Sequence, residues 1–145
     1  MSIVKMFVSQ YQPENTELVS YGVVLVNENS EIINEISGNI VDPAVLTNRD
    51  IAGELFGVVN GLIWAYQNSY TNVDIYHNQD PVEKFVTGEI PADSFVAMEY
   101  LTQVTGAKNV GIQINFVKLS TQNEENTTFT DRVNQLTKEV FAIED

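Results

Sequence analysis

The chain has 145 residues, of which 43% are hydrophobic and 10% are aromatic. This composition is too apolar for a disordered chain and supplies enough apolar surface for one core, so we expect a single domain over residues 1–145. The sequence contains no cysteine, which excludes disulfides and thiolate metal sites. No apolar run approaches the roughly 20 residues of a membrane helix, and the start lacks a signal-peptide layout. We therefore expect a cytoplasmic protein with no membrane association.

The charge is strongly acidic, because 20 acidic residues oppose 7 basic ones and the formal net charge is -13. Proteins that bind nucleic acid gain most of their non-specific affinity from clustered lysine and arginine. Folding could still assemble a basic groove, but a solvated acidic surface is the favoured interpretation, and it predicts weak nucleic-acid binding. The basic residues are scattered along the chain: Lys5, Arg49, Lys84, Lys108, Lys118, Arg132 and Lys138.

The first third of the sequence predicts three β-strands. Residues 4–8 and 21–26 are apolar and β-prone, and residues 32–40 mix isoleucine with polar residues. Turn-forming residues separate these strands at 12–15 and 27–30.

The remainder of the sequence predicts helices that alternate with two more strands. After a candidate cap at Thr47, Ile51, Leu55 and Val58 begin a helical spacing that extends over about five turns. A strand at 73–77, a short helix at 81–85, a helix at 92–105 ended by Gly106, and a strand at 111–117 follow. A last helix carries one apolar face: Phe129, Val133, Leu136 and Val140. The order βββαβααβα predicts an α/β fold with a five-stranded mixed sheet and helices on both faces.

Four stretches carry a resemblance to a known family. They are YGVV at 21–24, NRDIAGEL at 48–55, VEKFVTGE at 82–89 and INFVK at 114–118. In this order and spacing they resemble the ribonuclease H family, especially its bacterial and viral-like type I branch. The resemblance implies the ribonuclease H-like fold and, for active members, hydrolysis of RNA in RNA–DNA hybrids with Mg²⁺ or Mn²⁺.

In that family, four acidic residues on the first strand, first helix, fourth strand and last helix hold two divalent metals. Such cations, roughly 4 Å apart, need several charged oxygen ligands. Matched residue by residue, the positions fall on Ser9, Glu54, Asn78 and Asn134, so only Glu54 is acidic. The resemblance therefore implies a degenerate active site in which Glu54 is the sole retained catalytic acid.

Two other departures from the family concern its substrate-binding residues. The histidine that many members carry before the last helix is missing from residues 120–126. Phe85 and Ile90 stand where this branch often has tryptophan.

Each of these polar residues has more than one interpretation. Glu54 is either a lone metal ligand or, the favoured alternative, a residue with a helix-surface or hydrogen-bonding role. Asn78 and Asn134 could bond to each other or to Ser9. Asp131 is the best substitute ligand beside Glu54, since it precedes Asn134 by one helical turn. The spacing from Thr128 to Asp131 also fits a capping box, which we favour.

Asp80, His77 and a group of aromatic residues complete the candidates. Asp80 is a second substitute ligand, although a place at the start of the short helix is favoured. His77 lacks the partners of a catalytic triad, and a polar residue at a strand end is the favoured interpretation. Trp64, Tyr66 and Tyr70 form either a contact patch or, as favoured, helix-end packing.

Three functions remain open at this point. The leading hypothesis is a catalytically inactive, ribonuclease H-related binding or interaction domain with a protein partner and no cofactor. The alternative is an endonuclease that hydrolyses RNA in RNA–DNA hybrids, using Mg²⁺ or Mn²⁺ held by Glu54 with Asp131 or Asp80. The third is a domain that binds nucleic acid without cutting it, which needs a basic channel.

Overall fold

The computed structural model describes residues 3–13, 18–40, 49–119 and 124–142, and these residues form five strands and four helices. The strands are β1 (Ile3–Tyr11), β2 (Val19–Val26), β3 (Ile32–Ile40), β4 (Asn72–His77) and β5 (Gln113–Lys118). The helices are α1 (Arg49–Gln67), α2 (Pro81–Thr87), α3 (Phe95–Asn109) and α4 (Glu124–Ala142). The element order βββαβααβα is confirmed.

The strands form one mixed sheet in the order β3-β2-β1-β4-β5. β1 pairs antiparallel with β2, and β2 pairs antiparallel with β3. β1 also pairs in parallel with β4, which pairs in parallel with β5. The parallel pairing brings the carboxyl ends of β1 and β4 to the same edge of the sheet.

The sheet separates two apolar clusters because alternate side chains of a strand point to opposite faces. On β1, Val4, Met6 and Val8 belong to the cluster that includes residues of α1 and α3. Phe7 belongs to the cluster on the opposite face, with Val133 of α4. Helices therefore cover both faces of the sheet, as the sequence predicts.

The end of α3 corrects one sequence prediction. Gly106 does not end the helix but lies inside it, and the helix continues to Asn109. Gly111, with φ +99°, is the glycine that has the left-handed conformation typical of a helix end. The start of α3 follows the expected chemistry, since the Ser94 side chain accepts a hydrogen bond from the Ala97 amide at 3.2 Å.

The start of α4 corrects another prediction. The helix begins at Glu124, so Thr128 and Asp131 lie inside it and the proposed capping box is wrong. The candidate cap Thr47 and residues 120–123 of the histidine-free loop lie outside the described residues.

The helices in the described ranges include none long and apolar enough to cross a membrane.

Candidate functional site

Ser9 and Asn134 form the first half of a polar cluster at the carboxyl ends of β1 and β4. Ser9 shares the sheet face of Phe7, so its buried side chain points towards α4. Its Oγ donates a hydrogen bond to Asn134 Oδ1 at 2.6 Å. Gly22 pairs with Ser9 on β2, and a Cβ there would lie 3.2 Å from the Val133 carbonyl oxygen. The lack of that atom lets α4 lie close to the sheet.

Gln10 and Gly53 place Glu54 on the opposite face. Gln10 follows Ser9, so it points towards α1, and its Oε1 accepts a hydrogen bond from the Glu54 amide at 3.1 Å. A Cβ on Gly53 would lie 2.3 Å from Gln10 Cβ. Only glycine therefore permits this approach of α1 to β1, which leaves Glu54 just 2% exposed.

The Glu54 carboxylate accepts three hydrogen bonds. Oε1 accepts from the backbone amides of Asn78 at 3.0 Å and Gln79 at 3.3 Å. Oε2 accepts from Asn78 Nδ2 at 3.0 Å, and this Nδ2 also lies 3.4 Å from the Val8 carbonyl oxygen. The cluster thus consists of two hydrogen-bonded pairs on either side of β1, with Ser9 and Glu54 buried and the two asparagines exposed.

Burial governs the protonation of Glu54. It raises the pKa of the carboxyl above its usual value, while the N–H donors of Asn78 and Gln79 and the charge of Lys118 partly oppose this rise. The group is therefore protonated more readily in the folded chain than in the unfolded one.

This donor set does not fit a pair of divalent cations. It supplies one carboxylate, whose two oxygens already accept N–H bonds, together with one hydroxyl and two amides. Magnesium and manganese are hard cations that need several charged oxygen ligands to replace their water. Across the described ranges, no group of three or more histidine, aspartate or glutamate side chains could hold a metal ion.

Both substitute carboxylates are exposed. Asp80 is exposed and forms an ion pair with Lys118 at 2.7 Å. It precedes Pro81 at the start of α2, as favoured, although its side chain makes no capping hydrogen bond. Asp131 is exposed inside α4. Neither carboxylate is hydrogen-bonded to a residue of the cluster.

His77 is the last residue of β4, as predicted, but it is 1% exposed and packs its ring edge-on to Phe116. Its Nδ1 lies 2.9 Å from the Gln79 carbonyl oxygen, and Nε2 lies 3.8 Å from Glu83 Oε1. Burial lowers the pKa of His77 and so favours the neutral ring. His77 therefore holds the turn that carries the donors to Glu54, a role that sequence reasoning missed.

Of the three aromatic residues Trp64, Tyr66 and Tyr70, two pack against each other and one is exposed. Trp64 and Tyr70 stack with ring centroids 5.5 Å apart, which confirms the packing interpretation for these two. Tyr66 is 60% exposed, so the packing interpretation is wrong for this residue. Phe85 is buried and packs edge-on to Tyr100.

Comparison with known proteins identifies the fold. No family model matches the chain, and no curated protein sequence matches it. RNase H1 of Halobacterium salinarum has a TM-score of 0.74 at 16% identity, covering 97% of this chain and 98% of that one. LC11-RNase H1 in complex with an RNA/DNA hybrid has a TM-score of 0.75 at 15% identity, with 97% of each chain covered.

A third similar structure is the N-terminal RNase H domain of a Mycobacterium tuberculosis protein. Its TM-score is 0.74 at 15% identity, and the match covers 100% of both chains. These similarities establish that the chain has the ribonuclease H-like fold, with the mixed sheet and the helices on both faces predicted from the sequence.

The raised pKa of Glu54 predicts how the stability of the fold depends on pH. The folded state holds the Glu54 proton more tightly, so rising pH should destabilise it from the ordinary value of 4.5 up to the folded pKa. In Glu54→Gln this contribution is absent. We expect urea unfolding between about pH 4 and 8 to show the parent losing stability relative to Glu54→Gln as the pH rises.

Glu35→Gln is the control for this measurement. The Arg132 side chain lowers the pKa of Glu35, so the Glu35 contribution is present above pH 4.5 and lost as the pH falls. The Glu35 contribution to stability therefore changes with pH in the opposite direction to the Glu54 contribution. A parent that gains stability over Glu54→Gln with rising pH would contradict the assignment.

Restored charge should restore metal binding if the four positions are those of the family's acids. Ser9→Asp, Asn78→Asp and Asn134→Asp together would place four carboxylates in the cluster, so without metal the triple variant should melt below the parent at neutral pH. Millimolar magnesium or manganese should then raise its melting temperature by roughly 4–10 °C through mass action. The parent should respond little.

The triple variant with Glu54→Gln added is the matched control, and its response to metal should be smaller. Thermal melting of all three proteins with and without metal gives the comparison. Equal shifts in the parent and the triple variant would mean that the residues are matched to the wrong positions.

Proposed function

We propose that this chain is a ribonuclease H-related protein that does not cleave RNA and acts as an interaction domain for a protein partner. One observation supports this most directly. The carboxylate of Glu54 accepts three hydrogen bonds from Asn78 and Gln79, which occupy most of the roughly four acceptor sites of a carboxylate.

The cost of metal binding follows from this geometry. A cation on Glu54 would displace N–H donors that are otherwise satisfied, and a hydrogen bond to a charged group contributes about 1.5–3 kcal/mol. The positive ends of these N–H dipoles also point at the carboxylate, where they repel a cation. Ser9 and Asn134 offer no charge in compensation.

The alternative function is a divalent-metal-dependent endonuclease acting on RNA–DNA hybrids. It is motivated by the structural similarity to LC11-RNase H1, which was solved with such a hybrid. It requires Asp131 or Asp80 as a substitute ligand beside Glu54. The ion pair of Asp80 with Lys118 and the exposed position of Asp131 favour the inactive protein.

Three of the seven basic residues are engaged in contacts that do not favour nucleic-acid binding. Arg132 is held between Glu35, at 2.6 and 2.7 Å, and Glu139, at 3.1 Å. Lys118 is paired with Asp80, and Lys138 lies over the ring of Tyr11. Cations engaged in this way are less available to neutralise phosphates.

The function is tested by incubating the purified protein with a labelled RNA–DNA hybrid and magnesium or manganese. We expect no metal-dependent cleavage, because Glu54 alone cannot hold two metals. Glu54→Ala, purified in parallel, separates this protein from contaminating host nuclease. Cleavage by the parent that is absent from Glu54→Ala would overturn the proposal in favour of the endonuclease.

Binding to nucleic acid should be weak at physiological salt. The expectation follows from the net charge of -13 and the absence of a basic run in the sequence. Fluorescence anisotropy with a labelled hybrid, duplex and single strand measures it. Sub-micromolar affinity for any of the three, weakening steeply with added salt, would contradict it.

A further inference from the structure

An apolar groove runs along the seam between α1 and α3. It consists of two adjoining cavities of about 300 Å³ and 380 Å³. Val59, Ile63 and Gln103 line both cavities, so the two lie side by side along the seam. α3 has 15 residues, which gives the groove a length of about 22 Å.

Large hydrophobic side chains are exposed along this groove. Ile63 is 46% exposed, Tyr66 60% and Phe95 55%. Val110, at the far end, is also exposed. Such side chains occur singly on many surfaces, but a contiguous set that lines a groove is typical of a protein-binding site.

The charges around the groove indicate what it binds. Glu99 is the only charged residue that lines either cavity in the described part of the chain. Of the exposed charges next to lining residues of α3, Asp93 lies just before the helix and Lys108 in its last turn. The rest of α1 beside the groove, residues 55–67, has no charged residue. The groove is thus apolar along its length, acidic near one end, and part of a molecule of net charge -13.

We propose that this groove binds an amphipathic helix of a partner protein, with an apolar stripe facing the groove and lysine or arginine on its flanks. The inference rests on the proposed function as an interaction domain and names its surface and the chemistry of its partner. A helix of about four turns matches the length of the groove. A basic flank would be attracted by Glu99 and by the net charge, whereas a second copy of this chain would be repelled.

A designed peptide provides the probe. A labelled peptide of about 18 residues, with leucine at helical i, i+3, i+4, i+7 spacing and lysine elsewhere, is titrated with the intact protein by fluorescence anisotropy. The same peptide with glutamate in place of lysine is its control. We expect saturable binding of the leucine–lysine peptide and none of the leucine–glutamate peptide.

Two protein variants of equal charge separate groove binding from general attraction. Ile63→Glu introduces a charge into the groove, and Ile32→Glu introduces the same charge on β3, at a side chain of similar exposure, 41%. We expect Ile63→Glu to weaken binding of the lysine peptide roughly tenfold. Ile32→Glu should leave the affinity unchanged or slightly tighter, because it only adds negative charge.

Phe95→Glu is a second groove variant in case Ile63→Glu fails to fold, which circular dichroism reports. Equal or tighter binding by both groove variants would overturn the proposal, as would no binding by the parent. A parent dimer in sedimentation that Ile63→Glu disrupts would replace the partner helix with a second copy. Cleavage of a hybrid would defeat the proposed function without changing these binding results, so the two failures are distinguishable.

Discussion

The burial of the Glu54 carboxylate is the constraint on which the polar end of the sheet depends. Gly53 permits contact between α1 and β1, and this contact places Glu54 away from water. A buried charge needs hydrogen-bond partners, and the turn after β4 supplies them through Asn78 and Gln79. Glu54 therefore joins α1 to β4, and its loss would leave three N–H donors without their acceptor.

On the other face of the sheet, β1 and β2 are joined to α4 by neutral contacts. Ser9 bonds to Asn134, and Ser20 Oγ donates to the Thr137 carbonyl oxygen at 2.6 Å. Arg132 extends the connection to β3 through a bidentate pair with Glu35. Two metals shared by four acids would hold these same elements together through charge. Here hydrogen bonds provide the connection, and Glu54 is the only carboxylate among these four positions, so no repulsion between carboxylates arises among them.

The sequence predicted the element order because its apolar periods are regular, and β3 matches its predicted bounds of residues 32–40. Local signals failed where tertiary packing decided the outcome. Gly106 looked like a helix end but is tolerated inside α3, and the Thr128 spacing looked like a cap but lies inside α4. Ser9, Asn78 and Asn134 could be named from the resemblance, and the bond between Ser9 and Asn134 is one of the expected pairings. The bond of Asn78 to Glu54 was not predicted, since it depends on side-chain geometry. One local signal could have identified Gln10. It follows Ser9 on β1, so its side chain points to the opposite face of the sheet, towards α1.

The distribution of acidic residues indicates that the neutral cluster is a local feature. The chain has 20 acidic residues, yet only Glu54 among the four positions of the cluster is acidic. A general shortage of carboxylates therefore cannot explain Ser9, Asn78 and Asn134. On α1, Glu54 and Ile63 are nine residues apart, about 14 Å along the helix axis, and one helix carries both the polar cluster and the apolar groove. Leu55, the residue directly after Glu54, lines the groove. The buried carboxylate and the apolar groove are therefore neighbours on α1, and a change in the path of this helix would alter both.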